Sequence, residues 1–268
     1  MTIALDTLID VILAAGSLCL EEFDSFDREK TEFKSETDLV TEVDRRVQRF
    51  LVDMLTDRCG TLSFIAEEDE QGHAITDAPT FIIDPVDGTT NFVHHLPHWC
   101  ISLGYWEKRE PVLAAVYAPV TGELFTAERS GGAWLRTGGG KEGVRLSVSD
   151  NNRPRHALGC SGLFGGSDSM RQQSALLLGR ALAQMRDVRR HGAAALDLCY
   201  LAAGRYDLFW EGHLSAWDVA AGSLIVEEAG GRVTDLYGRT SSPEELLSAR
   251  SVLAGNPEMH RWFLETLA

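Results

Sequence analysis

Apolar runs of this chain end in acids, and that habit restricts its fold more than any other feature. The stretch "FIIDPVDGTTNF", residues 81–92, sets Asp84 and Asp87 three apart directly after Phe81, Ile82 and Ile83. "FIAEED" closes on Glu67 and Glu68, "YDLFWE" on Glu211, and "SAWDVAAG" carries Asp218 in an apolar helix start. If "FII" is a strand, Asp84 sits at its carboxyl end and Pro85 stiffens the exit. The next turn then brings Asp87 toward the same place, Gly88 lets backbone approach closely, and Thr89 opens a helix. Two like charges roughly 4 Å apart at an effective dielectric of about 20 repel by about 4 kcal/mol, so protons or cations must occupy such a place. Taken alone, the same residues also spell a turn with a helix cap, since Asp, Pro, Gly and Thr all favour turns.

Around these acids the hydrophobic period changes along the chain. Residues 3 to about 23 and about 39 to 57 carry apolar side chains at three and four spacing, the mark of two amphipathic helices. The polar stretch "REKTEFKSETD" between them reads as a solvated loop. From "LSFIAEED" onward, "TFIID", "CISLGYWEK", "PVLAAVYAP" and "ELFTAER" are short β-rich runs separated by turn residues, which predicts antiparallel strands. "RTGGGKEGVRLSVSD" reads as an interrupting loop. Beyond it the pattern alternates: strand "HALGCS", helix about 168 to 185, strand "DVRR", helix "AALDLCYLAAG", strand "YDLFW", helix "AWDVAAGSLIVEEAGG", then strands "RVTDL" and "SVLAGN". The second half is thus α/β layered. A composition shift near 138 to 155 suggests a division into an N-terminal α+β half, 1–150, and a C-terminal α/β half, 151–268, within one compact unit.

The 268 residues, 44% hydrophobic and 24% charged, suit a globular protein with a substantial core. With 25 Lys plus Arg against 40 Asp plus Glu, the formal charge of -15 argues against nucleic acid or an anionic membrane as partner. The 5 cysteines are scattered and form no C-x-x-C pair, so a reducing, cytoplasmic setting is expected rather than a disulfide frame. "MTIALDTLID" has no basic leader, and "VILAAGSLCL" is too short to span a bilayer, so neither export nor membrane insertion is expected.

"DLVTEVD", "AEED", "DPVDGTTNF" and "WDVAAGSLIVEEAGG", in this order, resemble the inositol monophosphatase family of magnesium-dependent, lithium-sensitive phosphatases, over nearly the whole chain. The resemblance implies a layered α/β/α/β/α sandwich of the sugar-phosphatase type, shared with fructose-bisphosphatases. It also implies that Glu67, Asp84 and the Val86 carbonyl hold one metal, while Asp84, Asp87 and Asp218 hold a second. An all-oxygen donor set suits Mg²⁺, two or three per site, with Mn²⁺ as substitute, and not zinc. Glu67 is preferred to Glu68 because the family pattern uses the first acid of the pair, and strand alternation would send its neighbour to the opposite face. Asp44, by itself a solvent-facing helix residue, is implied to pair with Thr89 and deprotonate the attacking water. Implied substrate contacts are Asp87, Gly88, Thr89, Gly192, Ala194, Glu211 and Asp218, with Glu211 read alternatively as a partner for a nearby arginine. A homodimer is implied as well.

The expected reaction is metal-assisted hydrolysis of inositol monophosphate or a similar small polyol phosphate. Alternatives within the superfamily are 3'-phosphonucleotide, histidinol-phosphate and fructose-bisphosphate phosphatases; outside it stands a non-catalytic binder of divalent cations or phosphate. Ala193, His95 and Leu96 depart from the family pattern and bear on substrate choice. "GGGKEG" matches a dinucleotide fingerprint, but no helix follows it. "GCSG" at Ser161 does not fit a nucleophile elbow. Lys34 has a weak claim to a phosphate contact. His94 and His98, with His95 beside them, lack the further ligands a zinc site requires and read as surface or pocket-lining residues.

Overall fold

The structure, a computed structural model, describes residues 3–26, 32–35, 38–40, 42–60, 62–69, 75–138, 142–162 and 167–266, with backbone alone at 32–35 and 38–40. Lys34, as a side chain, lies outside the described residues. The two amphipathic segments form α1 (Leu5–Asp24) and α2 (Glu42–Cys59). Helix α2 starts later than its apolar spacing predicts, and the stretch before it is not all loop. β1 (Glu32–Ser35) and β2 (Asp38–Val40) pair antiparallel, so backbone hydrogen bonds of the hairpin take residues that periodicity assigned to the helix.

A seven-stranded sheet runs in the order β3-β4-β5-β6-β7-β8-β9. Its strands are β3 (Ser63–Ala66), β4 (Thr80–Asp87), β5 (Cys100–Glu107), β6 (Glu110–Ala118), β7 (Glu123–Glu128), β8 (Gly132–Thr137) and β9 (Val144–Arg145). The expected interrupting loop therefore contributes an edge strand: Val144 and Arg145 pair with Leu135 and Trp134. The second half builds β10 (Leu158–Ser161), α4 (Asp168–Leu182), β11 (Asp187–Arg189), α5 (Ala194–Ala202), β12 (Leu208–Gly212), α6 (Ala216–Glu228), β13 (Arg232–Thr234) and β14 (Ser251–Gly255). These strands form a five-stranded sheet ordered β11-β10-β12-β14-β13. Two short helices, α7 (Pro243–Ser248) and α8 (Pro257–Thr266), complete the described chain.

Pleat parity sorts the side chains of β4 into layers. Phe81 and Ile83 face α1 and α2, where they join Leu8, Ile12, Val47 and Leu51 in one core cluster. Ile82 faces the other way, into a cluster with Leu196 and Leu198 of α5, Leu224 and Ile225 of α6, and Phe209 of β12. Helices α5 and α6 are thus the filling between the two sheets. A third cluster, with Ala181, Trp210 and Phe263, seals the outer face of the second sheet under α4 and α8. The order helix, sheet, helix, sheet, helix is the layered sandwich the sequence led us to expect. Packing inside the middle layer is tight: a Cβ on Gly222 of α6 would lie 2.7 Å from Leu198 Cδ1 of α5.

Candidate active site

Two carboxylates three apart on a regular strand point to opposite faces. Strand β4 does not end at Asp84, as expected, but continues to Asp87 with an irregularity: Asp84 pairs with Ser102 and Asp87 with Cys100. One extra residue therefore sits on the β4 side between these pairs. Such a bulge, between Asp84 and Asp87, restores Asp87 to the face that Asp84 shares with Ile82. Asp218 arrives from the first turn of α6, where one carboxylate oxygen accepts the Ser215 N–H at 2.6 Å. The Asp84, Asp87 and Asp218 carboxylates each offer an oxygen within 4.8 Å of the others.

Glu67 follows β3 in a turn, its N–H bonded to the Ile83 carbonyl at 3.2 Å. Turn geometry, rather than strand alternation, separates it from Glu68, whose N–H goes to Gln48 Oε1 at 2.9 Å. Glu67 is hydrogen-bonded to Asp84. Burial, with Glu67, Asp87 and Asp218 adding their charge, pushes Asp84 well above the usual carboxylate range. The buried Ser102 hydroxyl, paired with Asp84 across the strands, finds no hydrogen-bond partner among the described residues. An oxygen-only cluster that cannot hold its own charge fits a hard divalent cation.

Asp87 is held from the second half of the chain. It accepts N–H bonds from Ala194 (3.1 Å), Ala195 (2.8 Å) and Leu196 (3.4 Å), the first turn of α5. Burial nonetheless pushes it up to about 7; the Ala195 N–H opposes that rise and the nearby Asp197 adds to it. The Ala194 N–H is therefore engaged with Asp87. Gly88 joins β4 to the short α3 (Thr89–Val93) at φ +97°, and a Cβ there would meet the His98 carbonyl oxygen at 3.2 Å.

Asp44, in the first turn of α2, is buried rather than solvent-facing, and the Thr89 hydroxyl lies 3.2 Å from its Oδ1. That hydroxyl is equally 3.2 Å from the Val86 carbonyl oxygen, so one proton is shared between two acceptors. Glu211 on β12 turns its carboxylate toward Gly162, and burial, then Asp197, Asp218 and Asp87, raise it well above its ordinary range while Arg190 opposes the rise. Gly192, at φ +84°, lies on the loop before α5.

His94 and His95 are exposed, but His98 is half-buried with Nε2 3.0 Å from Asp197 Oδ1. Its partner lies on α5 and not four residues back. Asp197 and Asn91 went unnoticed in the sequence; a lone acid inside "AALDLCYLAAG" is the same signal that marks Asp218. Asn91 donates from Nδ2 to the His98 carbonyl at 2.6 Å and to the His191 carbonyl at 2.7 Å.

Residues 4–268 match the Inositol monophosphatase family. The Inositol-1-monophosphatase of Rhizobium meliloti (strain 1021) is 34% identical over 98% of this chain and 95% of its own length. The Nus factor SuhB of Pseudomonas aeruginosa is 38% identical, covering 95% of this chain and 92% of its own. Among solved structures, the extragenic suppressor protein suhB from Bartonella henselae matches with a TM-score of 0.87 at 31% identity, over 98% of this chain and 97% of that one. With its fold, its ordered acids and these likenesses in agreement, the chain belongs to the inositol monophosphatase family.

Proposed function

We propose that the protein is a Mg²⁺-dependent phosphomonoesterase acting on inositol monophosphate or a similar small polyol phosphate. The observation that carries this reading is the convergence of Asp84, Asp87 and Asp218, with Glu67 bonded to Asp84, beside a Thr89 hydroxyl paired with Asp44. In this reading Glu67, Asp84 and the Val86 carbonyl hold one cation, and Asp84, Asp87 and Asp218 another. Mn²⁺ is a substitute with the same oxygen preference. When bound, the cations supply Lewis acidity toward the ester and toward the attacking water.

The chain's own groups do the rest. Thr89 passes a proton from the water to Asp44, since a threonine hydroxyl alone is too weak a base. Backbone N–H groups at Gly88 and Thr89 face the phosphate oxygens, so an acidic protein needs no lysine or arginine there. Glu211 and the loop from Gly192 to Ala194 meet the hydroxyls of the polyol. The same reading places a homodimer in the cytoplasm, with no nucleic-acid or membrane partner. The charge of -15 supports that exclusion, and among the described residues no helix is long and apolar enough to cross a membrane.

Phosphate release from a panel of esters, with Mg²⁺ and with chelator, tests metal, reaction and specificity together. Inositol monophosphates are expected to be cleaved fastest, only with Mg²⁺, and with inhibition by Li⁺. Preference for a 3'-phosphonucleotide, histidinol phosphate or fructose bisphosphate over every polyol monophosphate would overturn the substrate class. Thr89→Ala is expected to lower kcat about a hundredfold with Mg²⁺ affinity retained; full activity in that variant removes the relay.

A further inference from the structure

Behind Asp87 lies a second cluster that the phosphatase reading does not use. His98 precedes β5, His191 sits on the loop before α5, and Asp197 lies within α5. His98 Nε2 is 3.0 Å and His191 Nδ1 3.6 Å from the same oxygen, Asp197 Oδ1. All three atoms lie within 4.8 Å of one another. The imidazole rings tilt over each other at 31° with centroids 4.6 Å apart. Asp197 is 2% exposed, His98 16% and His191 34%, so burial deepens from His191 through His98 to the carboxylate.

Tetrahedral zinc, with bonds of about 2.0–2.2 Å to nitrogen and oxygen, separates its ligand atoms by roughly 3.3 Å. The two measured separations bracket that value. Asn91 ties the backbone of the two histidines together by donating to the main-chain carbonyls of both. Around His191 Nδ1 stand the Tyr206 hydroxyl at 2.8 Å and the Cys160 sulfur at 3.9 Å.

We propose that His98, His191 and Asp197 form a second cation site, separate from the carboxylate cluster and selective for zinc or a like borderline divalent ion, with water at the fourth corner. Nitrogen donors favour such ions, whereas Asp84, Asp87 and Asp218 offer oxygen alone. Zinc entry replaces the Tyr206 contact at His191 Nδ1 and the proton that His98 shares with Asp197. The site stands on these side chains and not on the substrate assignment.

Zn²⁺ titrated calorimetrically into protein held in excess Mg²⁺ tests it, with Co²⁺ as an optical probe. One Zn²⁺ per chain is expected to bind against Mg²⁺, and Co²⁺ there is expected to give the intense visible absorption of a tetrahedral centre. His98→Gln and His191→Gln should each weaken Zn²⁺ at least tenfold, while Asp84→Asn leaves it unchanged. Retention of a Mg²⁺-induced rise in Tm by the histidine variants shows that they are folded. No zinc bound by the wild type overturns the site. So does binding that both histidine variants keep, or that Asp84→Asn removes instead.

Discussion

The carboxylate cluster and the imidazole cluster share one helix terminus and solve the burial of acid in opposite ways. The first turn of α5 donates its N–H groups to Asp87, and the same turn carries Asp197. Both aspartates are desolvated. At Asp197 burial is outweighed by the neighbouring imidazoles of His191 and His98, and its carboxyl falls below the ordinary range. At Asp84 the neighbours are acids, and its carboxyl rises. A buried acid with imidazole neighbours stays ionised, whereas one surrounded by its own kind is pushed toward the neutral form unless a cation joins it.

Breaking the first cluster gives the largest effect. Asp84→Asn is expected to cut kcat by about a thousandfold, the scale of losing a central electrostatic contact in a reaction centre. In metal-free protein the same change should raise Tm, because a repelling charge has gone. Steady-state kinetics and thermal melts check both; a fall in metal-free Tm would show that Asp84 is not strained by its neighbours.

The pH dependence of the metal-free protein sharpens the contrast. Asp87 has its folded value raised to about 7. Its contribution is fully present below the unfolded value near about 4 and is lost as pH rises through about 7, so metal-free stability should fall across that window. Asp197 has the opposite sign: stability is present above the unfolded value and is lost as pH falls through the depressed folded one. Urea melts across pH, with and without Mg²⁺, separate the two. Mg²⁺ should abolish the loss toward neutral pH and leave the acid limb in place.

Asp197→Asn is the smallest change. It weakens the His98 hydrogen bond to a charged group and removes the charge facing His191, and is expected to cost about 2 kcal/mol at neutral pH, with little cost in acid. An equal cost at both ends of the pH range would mean that shape, not charge, holds the imidazoles.

The carboxylate cluster was legible because each of its members marks the end of a local apolar run. Local context drew attention to Asp84, Asp87, Glu67 and Asp218, and the family resemblance, not that context, chose them as a ligand set. The bulge was not: D-P-V-D has the spacing, but only pairing with Ser102 and Cys100 shows how both acids reach one face. The imidazole cluster was hidden for a different reason. His98 meets Asp197 across 99 residues, and the nearer His94 offered a misleading helical spacing. The start of α2 was misplaced because periodicity runs smoothly through Val43 and Val47, while the claim of β1 on 38–40 is a pairing that no single segment announces.

Asn91 fastens the two halves of the molecule with a single amide. Its NH₂ group has two hydrogens, and the two short contacts use both: one carbonyl belongs to the approach to β5, the other to the approach to α5. A replacement must present two planar donors at that reach. Aspartate has the shape without the hydrogens, and glutamine has the hydrogens one methylene too far out. The junction of these two approaches therefore rests on a side chain that no other ordinary residue reproduces at that reach.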